Sequence, residues 1–147
     1  MNYNTSETDF DLLLVENKES VIDIIKVLTK KFAIKVKYAK NTSEFTELIK
    51  FYNFKVVIVD LDLEYKLEGL FISTLYKNIR FIKNASSKIY LLSDKELPPT
   101  DIPKFHFDGI IKKSFKPMYE FLLNNFDFRS YVEFLREESS QELIFSI

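Results

Sequence analysis

Short apolar runs, each closed by polar residues, recur along the first three quarters of the chain. The most pronounced lies at residues 55–60, where four consecutive apolar residues follow Lys55 and end on Asp60. A run of this length and Val/Ile content is typical of a central strand that is buried on both faces of a parallel sheet. Further runs predict strands at residues 12–15, 33–38, 88–93 and 109–113. The second of these alternates apolar and polar residues, which indicates a strand at an edge of the sheet.

The stretches that follow the predicted strands carry apolar residues at helical spacing. They predict amphipathic helices that begin near Lys18, Thr42, Leu70 and Pro117, and a final helix at 128–138. Asn17 is the predicted N-cap of the first helix, and Thr42 or Ser43 is that of the second. Residues 94–108 contain three prolines, which predict a loop because proline interrupts helical hydrogen bonding.

Strands that alternate with helices imply a parallel sheet with right-handed crossovers and helices on both faces. The predicted fold class is therefore α/β, a three-layer sandwich with a five-stranded, doubly wound parallel sheet and an extra C-terminal helix. We expect a flexible N-terminus at residues 1–9, one domain at 10–126, and an interface or linker at 127–147.

Composition narrows the classes of function. The chain of 147 residues has a net charge of −1, which argues against a nucleic-acid partner or an anionic membrane surface. It has no cysteine, which excludes disulfides, thiolate metal sites and cysteine nucleophiles and fits a reducing compartment. No apolar run approaches the ~20 residues that span a bilayer, and the polar, acidic N-terminus is not a signal peptide. We expect a cytoplasmic protein.

Polar residues lie at the ends of four of the five predicted strands: Glu16 and Asn17 just after the first, Asp60, Ser93, and Lys113. The carboxyl ends of parallel strands share one edge of the sheet, which is where ligands bind in open α/β folds. Carboxylate and carbonyl oxygens suit Mg²⁺. A lysine and a serine can bind phosphoryl oxygens, and Asp60 can act as a nucleophile toward phosphorus. The pattern predicts a site for phosphoryl chemistry at this edge.

Five short motifs, in this order, resemble the CheY-like receiver domain of bacterial two-component response regulators over residues 10–126. They are Leu-Leu-Leu-Val-Glu-Asn ending at Asn17, Val-Val-Ile-Val-Asp-Leu around Asp60, Glu68-Gly69, Leu-Leu-Ser ending at Ser93, and Gly-Ile-Ile-Lys-Lys-Ser-Phe around Lys113.

The resemblance implies a role for each matched position. Asp60 would be the phosphoacceptor, with Ser93 and Lys113 contacting the phosphoryl group. Glu16, Asn17, Asp60 and Asp62 would hold Mg²⁺. The partner would be a histidine kinase or phosphotransfer protein, and the chain would be a signalling domain rather than an enzyme. Lys112 is adjacent to Lys113, so only one of the two can face the site from a strand, and the resemblance selects Lys113.

Several positions depart from the receiver pattern. Asn17 stands where the family has an acidic metal ligand, Ile110 replaces an aromatic residue, and Ser114 replaces a proline. The proline-rich segment at 94–108 replaces the helix that the family carries between its last two strands. These departures motivate an alternative, a pseudo-receiver that acts as a phosphorylation-independent interaction or dimerisation module. A flavodoxin-like ligand-binding domain is a third interpretation, weakened by the lack of a glycine-rich phosphate loop.

Two further segments carry expectations. The acidic stretch with Glu64, Lys66 and Glu68 indicates a solvated loop. The final helix has an apolar stripe of Tyr131, Phe134 and Leu135 that needs a cover. Three alternatives are open: this helix folds back on the domain, leads into an output domain, or pairs with a second copy of the chain. We favour homodimerisation through the C-terminal helices.

Overall fold

The computed structural model describes residues 9–83, 87–94 and 107–126. These residues form five strands and four helices. In chain order they are β1 (Asp9–Val15), α1 (Glu19–Lys31), β2 (Val36–Ala39), α2 (Thr42–Phe51), β3 (Asn53–Asp60), α3 (Glu68–Lys83), β4 (Lys88–Ser93), β5 (Gly109–Lys112) and α4 (Phe115–Asn125). The predicted flexible N-terminus, most of the proline-rich loop and the final C-terminal helix lie outside the described residues.

The five strands form one sheet in the order β2-β1-β3-β4-β5, and every neighbouring pair is parallel. The predicted α/β class with a five-stranded parallel sheet is therefore confirmed. β3 occupies the centre of the sheet, so Asp60 ends the central strand as the apolar run predicted. β2 lies at an edge, as its alternating pattern indicated.

Two apolar layers hold the helices against the sheet. Residues on β3 alternate between them: Val57 and Val59 belong to one layer, and Val56 and Ile58 belong to the other. Helices α2 and α3 cover the first layer, and α1 and α4 cover the second. The helical residues buried in these layers are Phe45, Ile49, Ile72 and Tyr76 on the first side, and Val21, Ile22, Ile25, Leu28, Met118 and Leu122 on the second. The predicted three-layer arrangement follows from this alternation.

The two predicted helix caps are wrong. At the start of α1 the cap position is Lys18, which makes no side-chain cap hydrogen bond, so Asn17 does not cap this helix. At the start of α2 the cap is Asn41, whose Oδ1 accepts a hydrogen bond of 2.9 Å from Glu44 N. Neither Thr42 nor Ser43 has this role. A cap depends on where the incoming backbone leaves the extended conformation, which side-chain type alone does not fix.

Strand bounds also shift. The predicted strand at 33–38 begins only at Val36, because the end of α1 continues into a turn in which Ala33 has a φ of 57° and its N–H bonds to Lys30 O. In contrast, β1 and β3 extend further toward their N-termini, where Asp9 pairs with Asn53. No helix among the described residues combines the length and apolarity that a bilayer crossing requires.

Candidate functional site

The strand register brings the predicted polar residues to one edge of the sheet. Val15 of β1 pairs with Val59 of β3, so the next residues, Glu16 after β1 and Asp60 at the end of β3, lie side by side. On the other side of β3, Ser93 pairs with Lys112, and Lys113 follows directly.

Glu16, Asp60 and Lys113 meet in a buried cluster that we call the acidic pocket. Lys113 Nζ lies 2.8 Å from Asp60 Oδ1 and 3.5 Å from Glu16 Oε2. The side chains of the two acids are 0% and 3% exposed, and that of Lys113 is 8% exposed. Lys112, by contrast, is exposed. Two carboxylates therefore share one ammonium group away from bulk water.

Backbone hydrogen bonds fix the segments that carry these side chains. Lys113 N donates to Ser93 O at 2.8 Å, which ties the residue after β5 to the end of β4. Glu16 N donates to Ala39 O at 2.9 Å, and Glu16 Oε1 accepts from Lys18 N at 3.2 Å. The bond from Lys18 N orients the Glu16 carboxyl group.

Burial gives Glu16 an unusual ionisation. Desolvation, reinforced by the negative charge of Asp60, raises the pKa of Glu16 to about 7 against the opposing charge of Lys113. Glu16 thus holds a proton over part of the range in which an ordinary glutamate is ionised. For Lys113, burial alone would lower the pKa, but the bond to Asp60 and the charge of Glu16 outweigh it and raise the pKa.

The acidic pocket also fits a cation such as Mg²⁺. Among the described residues, neither Glu16 Oε2 nor Asp60 Oδ2 has a hydrogen-bond partner, although both atoms are buried. Buried carboxylate oxygens normally have partners. Mg²⁺ in proteins is commonly held by one or two carboxylates, with water and phosphate oxygens as the remaining ligands. Two carboxylates with unsatisfied oxygens meet this requirement.

The other predicted site residues, Ser93, Asn17 and Asp62, differ in burial and in hydrogen bonding. Ser93 is buried at the end of β4, and the next residue, Asp94, is exposed. Asn17 is half-buried and directly follows Glu16. Asp62 Oδ1 accepts a 2.7 Å bond from Leu67 N, which ties this carboxylate to its own loop. In the described part of the chain no group of three or more His, Asp or Glu side chains is placed to hold a metal. The ligand roles of Asn17 and Asp62 stay predictions.

Glu68 is a buried carboxylate at the start of α3, so the prediction that it lies in a solvated loop is wrong. It is 8% exposed and accepts hydrogen bonds from the backbone N–H groups of Thr42, Glu64 and Tyr65 and from the Thr42 hydroxyl. Burial would raise the pKa of Glu68, but these four bonds outweigh it and hold the pKa below its ordinary value. Its position in the first turn of a helix was the available signal, since acids are favoured there.

Gly69 lets α3 pass close to the end of the central strand. Its N–H donates to Leu61 O at 2.8 Å. A Cβ at this position would overlap the carbonyl oxygen of Asp60 and lie 2.9 Å from Leu61 Cα. The close approach of two backbones, rather than a positive φ, is what requires glycine here.

Comparison by sequence finds no match for this chain. No known family's sequence profile matches it, and no curated protein matches it by sequence. Its similarity to other proteins is therefore one of three-dimensional structure.

Solved structures with the same fold are response-regulator receiver domains. TrrA from Thermotoga maritima, in complex with Mg²⁺-BeF, is 21% identical, with a TM-score of 0.65 over 80% of this chain and 99% of that chain. A CheY-like receiver domain from Methanospirillum hungatei JF-1 is 17% identical, with a TM-score of 0.66 over 87% and 98% of the two chains. TrrA in complex with the histidine kinase ThkA is also similar, with 21% identity, a TM-score of 0.63, and coverage of 80% and 99%. The structural neighbours of this chain are therefore CheY-like receiver domains, which cover most of its length.

Proposed function

We propose that this chain is the receiver domain of a response regulator and that Asp60 accepts a phosphoryl group from a histidine kinase or a phosphotransfer protein. One observation carries the proposal. Asp60 ends the central strand in a buried pocket where Lys113 Nζ contacts it at 2.8 Å and where Glu16 supplies a second carboxyl group. The receiver fold of the structural neighbours, one of them solved with a histidine kinase, supports the same assignment.

The transfer needs one nucleophilic oxygen on Asp60. This role falls to one of the two carboxylate oxygens of Asp60, which lies beside Lys113 in the acidic pocket. The oxygen forms a bond to phosphorus as the bond from phosphorus to the donor's nitrogen breaks, and that nitrogen retains the electron pair and takes a proton. The product is an aspartyl phosphate on the protein.

Glu16 and Asp60 would hold Mg²⁺ beside the acceptor, with Asn17 and Asp62 as further predicted ligands. The metal supplies positive charge against the phosphoryl oxygens. Asn17 contributes an amide oxygen without a charge, so we expect weaker metal binding than an aspartate at that position would give. The Mg²⁺-BeF complex of the neighbour TrrA supports a metal-dependent site in this fold.

Lys113 and Ser93 would bind the phosphoryl oxygens after transfer. Lys113 already lies against the acceptor carboxylate, so its ammonium group can neutralise the added charge without a large movement. The protein is then a signalling module rather than an enzyme, because the phosphoryl group remains on its own side chain.

A phosphorylation-independent pseudo-receiver is the second candidate function. The observation that favours it is that no described cluster of three acidic or histidine side chains surrounds the acceptor, and Asn17 adds no charge. In this case Lys113 stays paired with Glu16 and Asp60, and the domain acts through its surface alone.

Titration with beryllium fluoride and Mg²⁺ separates the two candidates. The chain has no tryptophan, so binding is best followed by ¹H–¹⁵N NMR. The receiver function predicts Mg²⁺-dependent shifts at the amides of Leu61, Ser93 and Lys113. Asp60→Asn should abolish these shifts, and Asn17→Asp should lower the Mg²⁺ concentration that they require. Spectra that do not change at millimolar Mg²⁺ in either the native protein or Asn17→Asp would favour the pseudo-receiver.

A further inference from the structure

Glu68 joins three parts of the structure through one carboxylate. Its Oε2 accepts bonds from Thr42 N at 3.1 Å and from Thr42 Oγ1 at 2.6 Å, at the first residue of α2. Its Oε1 accepts bonds of 3.1 Å from Glu64 N and Tyr65 N, in the loop between β3 and α3. Glu68 itself is the first residue of α3. The start of α2, the loop and the start of α3 are therefore held together at this side chain.

The same junction reaches the backbone of Asp60. Gly69, next to Glu68, donates to Leu61 O at 2.8 Å, and Leu61 N donates to Leu92 O at 3.1 Å. No Cβ fits between Gly69 and the Asp60 carbonyl. A shift of Glu68 therefore displaces the residues that directly follow the acceptor.

The Glu68 carboxylate is surrounded by four hydrogen-bond donors, so it binds all of them only in its ionised form. An ionised carboxylate only accepts hydrogen bonds, and all four neighbouring groups are N–H or O–H donors. A glutamine of the same shape would turn an NH₂ group toward some of these donors and lose part of the network.

We propose that Glu68 is a positioning residue for phosphoryl transfer, because it holds the loop that begins after Asp60 in the geometry that the reaction needs. This inference rests on the proposed receiver function. The four bonds of the Glu68 side chain go to α2 and the loop, so its effect on Asp60 passes through Gly69 and Leu61. Small displacements at a distance from a reacting group are enough to slow a transfer that depends on alignment.

The test compares phosphorylation rates of the full chain with acetyl phosphate as donor at saturating Mg²⁺. Each rate is divided by the folded fraction, measured by circular dichroism under the same conditions. We expect Glu68→Gln to lower the rate constant at saturating donor by about tenfold, with the donor concentration at half-maximal rate little changed. Glu44→Gln is the matched control, because it removes a carboxylate from the first turn of α2 that bonds to Lys40 N and not to the loop.

Thr42→Val is a second variant in case Glu68→Gln does not fold. It removes the 2.6 Å hydroxyl bond but keeps side-chain shape and the backbone bond. We expect a rate loss in the same direction as for Glu68→Gln but smaller, and no added loss when the two changes are combined. Normal rates per folded molecule in both variants would overturn the positioning role while the receiver function stands. A native protein that takes no phosphoryl group would overturn both.

Discussion

Glu16 and Asp60 lie within reach of one lysine, and the charge of Asp60 affects the ionisation of Glu16. Burial and the charge of Asp60 raise the pKa of Glu16 to about 7, so the pocket keeps a proton that an exposed pair would lose. This proton limits the charge that Lys113 must offset. A bound cation would take over the same task and release the proton, so metal affinity should rise with pH.

The raised pKa of Glu16 predicts how stability depends on pH. Between pH 4.5 and 7 the folded state binds more protons than the unfolded state, so stability falls as pH rises through this window. From pH 5 to pH 8 the native protein should lose about 2–3 kcal/mol relative to Glu16→Gln in urea unfolding without metal. Glu47→Gln, on the exposed side of α2, is the control and should follow the native protein. Parallel pH curves for the native protein and Glu16→Gln would contradict the assignment.

Substitutions of Lys113 and Lys112 compare the loss of a buried lysine with the loss of an exposed one. Lys113→Met leaves two buried carboxyl groups without a cation, which should cost roughly 3 kcal/mol of unfolding free energy at pH 8. The loss should be smaller at pH 5, where Glu16 is protonated. Lys112→Met removes an exposed charge from the adjacent residue and should change stability by less than about 0.5 kcal/mol. Equal losses for the two variants would mean that the ion pair does not stabilise the pocket.

At the scale of elements, the start of α3 is set by backbone contact with β3. Gly69→Ala would force the Asp60 carbonyl and Leu61 apart and should destabilise the fold by about 1–3 kcal/mol. Gly109→Ala is the matched control, because its Cβ would meet only the Tyr90 ring at 3.1–3.2 Å, and a side chain can move. Thermal unfolding of both variants tests this difference. A loss at Gly69 no larger than that at Gly109 would contradict it.

The strands were predictable because burial on both faces leaves a direct mark in the sequence. Four apolar residues before Asp60 indicated a central strand, and the alternation at 33–38 indicated the edge. The hydrogen-bond partners of Glu68 were not predictable in the same way. Glu68 accepts bonds from Thr42, 26 residues earlier in the chain, and no local pattern encodes that contact.

The site was predictable in part, for a related reason. The polar ends of parallel strands must share one edge, so the order of strands and helices along the chain is enough to bring Glu16, Asp60 and Lys113 together. The choice of Lys113 over Lys112 needed the family resemblance. The hydrogen bond from Leu67 N to Asp62 depends on how the loop folds back on itself. The positions of the strand ends do not predict it.

At the scale of the whole molecule, the two apolar layers and the acidic pocket have separate roles. The apolar layers stabilise the sheet, whereas the acidic pocket at the carboxyl edge of the sheet contains buried charged side chains. The chain shares its fold with receiver domains that are only 21% and 17% identical to it, because many different apolar sequences can fill the two layers.

The C-terminal residues predict a homodimer, which light scattering can test. If the stripe of Tyr131, Phe134 and Leu135 pairs two copies, Phe134→Glu should convert a dimer to a monomer because it places a charge in an apolar contact. Arg136→Glu changes a charge on the polar face of the predicted helix and should leave the dimer intact. A native protein that is monomeric throughout the micromolar range would rule out this dimer.

Intact-protein mass spectrometry tests most directly the proposal that Asp60 accepts a phosphoryl group. The native chain is incubated with acetyl phosphate and Mg²⁺ and compared with Asp60→Asn and with a sample that contains a metal chelator. We predict a gain of one phosphoryl group in the native protein alone, lost on chelation of the metal and mapped to the peptide that contains Asp60. No gain in the native protein, or the same gain in Asp60→Asn, would contradict this claim.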